Sequence, residues 1–172
     1  MAQDELFLGA IAEFGPALAR LAAAYEADWD QRRDLLQDVK LALWRSFAGY
    51  AGQCSMRTWV FRVAHNTAIS TRLRRRKLGL VSLDELADLA AADDPEATVG
   101  NAHVLARLQA MIRRLKPPDD QVMLLYLEDQ DAAAIAEITG LSAGAVATRI
   151  HRVKQLLSNR LRQAPGQQGE AA

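Results

Sequence analysis

The chain has few of the residues that interrupt helices or cross-link a fold. Cys54 is its one cysteine, which excludes an intramolecular disulfide and points to a reducing compartment. Five prolines and ten glycines in 172 residues leave long stretches free of breakers, and β-branched runs are short. Alanine and leucine dominate instead, so the chain reads as all-α. No segment approaches 18 unbroken apolar residues, and the opening MAQDELFLGAIAEF is acidic where a signal peptide would be basic. A cytoplasmic protein without membrane insertion is expected. His65, His103 and His151 lie far apart, and Cys54 has no partner at metal-ligand spacing. No metal, no cofactor and no catalytic residue is therefore expected, and an enzyme acting on nucleic acid is the weakest reading.

Charge of either sign is plentiful but unevenly spread. Twenty-one Lys and Arg balance 21 Asp and Glu, for a net charge of zero. Residues 1–40 hold eight acids against four bases, whereas residues 41–80 hold eight bases and no acid. Residues 81–103 hold six acids and no Lys or Arg, and residues 132–162 hold five bases against Glu137 alone. Two basic blocks separated by an acidic connector imply two modules that meet something anionic. The alternative is a mosaic of solvated helix faces.

Periodicity places a first helix near 4–26, with Gly15-Pro16 as a break point, and a second over 30–47. GYAGQCSM (49–56) is a loop, and a third helix runs from Arg57 to Lys77. SLDELADLAAADDPEATVGN has little apolar periodicity and reads as a linker, in which Ser82 and Glu85 have capping-box spacing. A second helical module spans 102–162, and QAPGQQGEAA reads as a disordered tail over 163–172.

The strongest local pattern is DAAAIAEITGLSAGAVATRIHRVKQLL, residues 131–157. Asp131 caps a short helix, Gly140 supplies a turn at positive φ, and Ser142 caps a second helix. Val146, Ile150, Val153 and Leu157, spaced 4, 3, 4, form the buried stripe. Ala136 is small where the two helices cross. These features describe a helix-turn-helix, whose second helix enters the DNA major groove. Ala145, Thr148, Arg149 and Arg152 share an outer arc of about 100° and suit base edges and phosphates. An αα-hairpin with a solvated basic face is the alternative.

In DLLQDVKLALWR (34–45), Leu35, Leu36, Val39, Ala42 and Leu43 make a core stripe. Asp34, Gln37, Asp38, Leu41 and Trp44 gather elsewhere, an acidic and apolar mixture that suits a protein partner. The alternative is that the first helix covers Trp44. WVFRVAHNTAISTRLRRRK (59–77) carries six Arg and Lys together with His65, and no acid. Trp59, Val63, Asn66, Ser70 and Leu73 share one helix side. That side is either a core stripe with a satisfied asparagine or a platform for unstacked bases, with the RLRRRK end attracting phosphate.

DLLQDVKLALW followed by SMRTWVFRVAHNTAI resembles the second conserved region of extracytoplasmic-function (ECF) sigma factors of bacterial RNA polymerase. LKPPDDQVMLLYLEDQDAAAIAEITGLSAGAVATRIHRVKQLL resembles their fourth region, and the likeness covers about residues 5–161 in order. The resemblance implies a region 2-like domain over 4–78, a linker over 79–101 and a region 4-like domain over 102–162. It implies docking on core RNA polymerase, on the β′ subunit with β as a further contact, through Asp34, Gln37, Asp38, Leu41 and Trp44. It also implies recognition and melting of the promoter −10 element through Arg57, Thr58, Trp59, Arg62, Asn66 and Arg72, with a base flipped into a pocket beside the preceding loop. Ser142, Thr148, Arg149 and Arg152 would read the −35 element, polymerase would supply all catalysis, and an anti-sigma factor is a candidate partner.

The chain departs from the family pattern at several positions. Lys40 stands where an aromatic is usual, and His65 stands for an arginine. Asp119 and Asp120 replace basic or polar residues, Asp129 replaces a glycine, and Ala147 lacks a polar side chain. The competing function is a helix-turn-helix regulator that works without polymerase, for which the 34–66 block has no use.

Overall fold

A computed structural model describes residues 3–77 and 101–162. The expected linker and tail, with Ser82 and Glu85, lie outside the described residues. Among those described, seven α-helices form: α1 (Gln3–Tyr25), α2 (Trp29–Ser46), α3 (Met56–Lys77), α4 (Asn101–Arg113), α5 (Asp119–Leu127), α6 (Ala132–Thr139) and α7 (Ala143–Arg162). A single 3₁₀ turn, Phe47–Gly49, follows α2.

Helices α1, α2 and α3 pack on one another, and α5, α6 and α7 do the same. Phe14, Leu18 and Leu21 of α1 meet Leu35, Val39 and Leu43 of α2 and Val60, Phe61 and Ala64 of α3, all buried. Each large side chain fully removed from water contributes about 1.5–3 kcal/mol. Ile112, Val122, Leu125, Ile135, Val146 and Val153 are the corresponding buried residues of the second module. The modules also touch, α3 against α6 and α1 against α4.

Local signals account for most helix starts. Asp28 accepts from the Gln31 amide at 2.9 Å and begins α2, and the Ser55 hydroxyl accepts from the Thr58 amide at 3.0 Å at the start of α3. Asp131 accepts from the Ala134 amide at 2.7 Å, and Ser142 accepts from the Ala145 amide at 3.2 Å. Gly140 closes α6 at φ 77°, in the left-handed region that a glycine enters without a Cβ penalty. Asp129 takes φ 56° after α5, so the residue in the usual glycine position adopts glycine's conformation.

Gly15-Pro16 does not break α1. Pro16 is exposed within the helix and forfeits one backbone hydrogen bond, while Phe14 and Leu18 on either side are 5% and 1% exposed. Their burial outweighs the local penalty. By length and composition α1 is also apolar enough to cross a membrane. Here it is one of the three helices that build the first core, packed on both α2 and α3.

Candidate nucleic-acid and polymerase interface

The two sides of α2 separate as the residue pattern predicts. Leu35, Val39 and Leu43 are buried, whereas Asp34, Gln37, Asp38, Leu41 and Trp44 are exposed together. The first helix reaches Trp44 through two hydrogen bonds. Its indole Nε1 donates to Asp4 Oδ1 at 2.8 Å, Gln3 donates to the Trp44 carbonyl at 2.6 Å, and the residue remains 40% exposed. The ring is oriented rather than covered. Lys40 is exposed on the same helix.

Helix α3 has two flanks with different surroundings. On one, Asn66, Ser70 and Arg74 face Asp38, Leu41 and Arg45 of α2 across an open groove of about 510 Å³. The groove therefore joins two of the docking candidates to one of the −10 candidates. Thr71 also lines it, and its buried Oγ1 has no hydrogen-bond partner. On the other flank three arginines reach the second module. An Arg57 guanidinium nitrogen donates to the Glu128 carbonyl, Arg62 pairs with Glu137 at 2.5 Å, and Arg72 pairs with the buried Asp120 at 2.8 Å. Arg20 adds a two-pronged bond to the Glu128 carboxylate, at 2.8 and 2.7 Å.

Thr58 and Trp59 are held rather than displayed. Thr58 is 6% exposed, and its hydroxyl lies 2.8 Å from that of Ser55, so its position belongs to the helix cap. Trp59 is half-buried, its Nε1 donating to Ser46 Oγ at 3.0 Å and its ring 5.3 Å from that of Tyr50. The adjoining loop is internally braced. Gln53 accepts from the Ala51 amide at 2.7 Å and donates to the Gly49 carbonyl at 3.2 Å, while Tyr50 donates to the Cys54 carbonyl at 2.9 Å. Such bracing limits what a bound base would have to order.

His65 is wholly buried one helical turn from Arg62. Its Nδ1 lies 2.8 Å from the Tyr25 hydroxyl, and its Nε2 has no partner. Burial holds its pKa down to about 3, so the ring is neutral in the fold. An arginine here would bring an obligate charge into the same space. The Tyr25 hydroxyl is pushed up by burial and then by the Asp120 carboxylate, while the Arg72 guanidinium lies 5.5 Å over its ring. His65, Tyr25, Arg72 and Asp120 thus run in a chain from the first core to the second module.

In the second module the helix-turn-helix forms with the predicted inner face. Val146, Val153 and Leu157 are buried and Ile150 is half-buried. Ser142 and Thr148 are exposed, the Thr148 hydroxyl donating back to the Gly144 carbonyl at 3.0 Å. Arg149 and Arg152 are not free. One carboxylate, that of Asp119, binds both, with Oδ1 at 2.6 Å from Arg149 and Oδ2 at 2.5 Å from Arg152. Ala147 lines a smaller cavity of about 320 Å³ with Tyr126, Ile150, His151 and Lys154. Among the described residues no group of three His, Cys, Asp or Glu side chains gathers to hold a metal.

The acidic partners are what residue patterns missed. Asp120 and Glu137 bond to arginines 48 and 75 positions away, beyond the reach of any local periodicity. The available signal was the pair of family departures at 119 and 120, two acids where basic or polar residues are usual.

Comparison with known proteins places these faces in context. The sigma-70 region 2 model matches residues 10–78 and the sigma-70 region 4 model matches residues 105–157. The ECF RNA polymerase sigma factor SigG of Mycobacterium tuberculosis is 29% identical over 148 residues, covering 72% of this chain and 40% of SigG. The chain therefore spans well under half of that relative. The RNA polymerase sigma factor CnrH of Cupriavidus metallidurans is 29% identical over 160 residues, covering 86% of this chain and 82% of CnrH. YlaC of Bacillus subtilis is 28% identical over 125 residues, covering 71% and 72%. The solved structure of CnrH in complex with the cytosolic domain of CnrY has the same fold, with a TM-score of 0.65, 23% identity and coverage of 91% of this chain and 87% of that one. With both conserved regions present, in family order and on the matching helices, the chain belongs to the sigma-70 family, among its ECF sigma factors.

Proposed function

We propose that this chain is an alternative sigma factor that binds core RNA polymerase in the cytoplasm and directs it to promoters. It is not itself an enzyme; polymerase supplies the catalysis. One observation carries the reading: five exposed residues on a single face of α2, beside a helix-turn-helix in the same chain. A simple DNA-binding regulator has no use for the first. Asp34, Gln37, Asp38, Leu41 and Trp44 dock on the β′ subunit, and β takes a further contact. Trp44 and Leu41 supply apolar area of the kind that dominates interface energetics, and the two acids select a basic counterpart.

The −10 element engages the α3 surface. Asn66 at the groove and Trp59 beside the braced loop are the positions for an unstacked base, whereas Arg57, Arg62 and Arg72 supply phosphate attraction. Those three guanidiniums are bound to the second module in the chain alone, so reading the −10 element requires the modules to part. DNA phosphates then replace Glu128, Glu137 and Asp120. Ser142, Thr148, Arg149 and Arg152 read the −35 element. An anti-sigma factor that holds the modules closed would act on the same contacts.

The docking assignment is tested by replacing Trp44 and Asp38 with alanine and measuring binding to core polymerase by sedimentation. Both side chains are exposed, so the fold measured by circular dichroism is expected to be unchanged while polymerase binding falls at least 100-fold. Retained binding would move the docking face elsewhere.

A further inference from the structure

Asp119 presents a paradox for a DNA-reading surface. Phosphate repels carboxylate, yet this one sits against the outer face of the recognition helix and occupies its two central arginines. The side chain of Asp119 is 16% exposed, that of Arg149 is 32% and that of Arg152 is 62%. The acid is therefore the inner member of the cluster and the arginines are the outer ones. It approaches from the first turn of α5, a different helix from the one it braces. Its neighbour Asp120 pairs instead with Arg72 of α3.

Arg149 and Arg152 are one turn apart on α7 and share the two oxygens of a single planar group. The Asp119 contact uses Nη1 of Arg149 and Nη2 of Arg152, one nitrogen of each guanidinium. The remaining N–H groups of each fork are left for an outside acceptor. A free arginine samples many rotamers and binds any phosphate it reaches. One tethered at a single nitrogen presents its other donors in one direction, as two-point recognition of a guanine edge requires.

We infer that Asp119 is a positioning residue for −35 recognition, holding Arg149 and Arg152 so that they read bases, at the expense of overall affinity. This rests on the proposed reading of the second module as the −35 reader. The carboxylate offsets one of the two guanidinium charges, so it lowers the electrostatic attraction for any duplex. What it adds is direction. The departure from basic or polar residues at this position therefore has a function in selectivity.

The test uses the full chain assembled with core polymerase and a pool of promoter duplexes whose upstream element is randomised. Wild type selects defined bases upstream. Asp119→Asn is expected to retain total DNA more strongly, with a salt dependence steeper by about one unit of log K against log salt. It is also expected to lose about 5-fold or more of the preference at one or two adjacent base pairs. Asp119→Glu, which keeps the charge, restores part of that preference. Arg149→Lys, which keeps the cation but not the fork, loses preference at the same base pairs with Asp119 in place. Unchanged base preference in Asp119→Asn overturns the inference while leaving the −35 reading intact. A wild-type pool with no upstream preference overturns both.

Discussion

The arginines of the first module and those of the second are both engaged within the chain, but by partners in different places. Arg57, Arg62 and Arg72 are held across the module boundary by Glu128, Glu137 and Asp120. Arg149 and Arg152 are held inside their own module by Asp119. Undoing the first set changes how the modules sit together. Undoing the second changes only how one helix presents its side chains. On the proposed reading, a charge-neutral chain carries two DNA-facing surfaces, one masked by contact between the modules and the other aimed by an internal brace. Adjacent acids divide the task, Asp120 pairing with α3 and Asp119 with α7.

The largest expected effect lies at the most buried cross-module pair. Asp120 is 2% exposed and also accepts from the Gln121 amide at 2.8 Å. Asp120→Ala leaves Arg72 beside an empty space, and removal of one member of a buried pair costs about 3 kcal/mol. Chemical denaturation should show that loss, and an equal stability of variant and wild type would mean that the pair adds nothing to the closed arrangement.

Acid should distinguish the two cores. The His65 pKa is lowered to about 3 in the fold from 6.5 in the unfolded chain, so below pH 6.5 the unfolded state binds the proton and the folded state does not. Stability is complete above pH 6.5 and falls as pH drops from there toward 3, by about 1 kcal/mol per pH unit. Hydrogen exchange at pH 7 and pH 5 should show α1 and α3 losing protection ahead of α6 and α7. His65→Phe should flatten the dependence. A wild-type chain equally stable at both pH values would place His65 in a wetter site than this fold gives it.

Smaller effects follow at the exposed contacts. Arg62 and Glu137 are both partly solvated, so Glu137→Lys should cost under about 1 kcal/mol of folding stability. It should nevertheless widen the distance between fluorophores placed on α2 and α7. An unchanged distance would assign the closed arrangement to the remaining contacts, those of Arg20, Arg57 and Arg72 among them. Smallest of all, Asp129→Gly relieves a left-handed residue and should add on the order of 0.5 kcal/mol of folding stability, read as a slightly higher melting temperature. A lower melting temperature would show that the aspartate conformation is preferred there.

Elements governed by neighbours within about four residues were legible in the residue pattern. Asp131, Gly140, Ser142 and the Val146–Leu157 stripe predict the helix-turn-helix because caps, turn and stripe depend on adjacent backbone. The split of α2 into buried and exposed sides followed from the same 3.6-residue period. Pro16 misled because its local cost is real and only the packing of Phe14 and Leu18 offsets it. The burial of Thr58 was legible too, since Ser55 three residues earlier is a cap signal whose hydroxyl meets both the Thr58 amide and its hydroxyl. The cross-module pairs were illegible for a different reason. Arg20 and Glu128 are 108 positions apart, and nothing in either neighbourhood specifies the other.

The most direct measurement is start-site mapping with core RNA polymerase on fragmented genomic DNA, with and without this chain. The account predicts new, defined starts sharing two elements at fixed spacing near −10 and −35, and their disappearance with the Trp44 and Asp38 double variant. Absence of defined starts, together with binding of duplex DNA by the chain alone as a symmetric dimer, would contradict it.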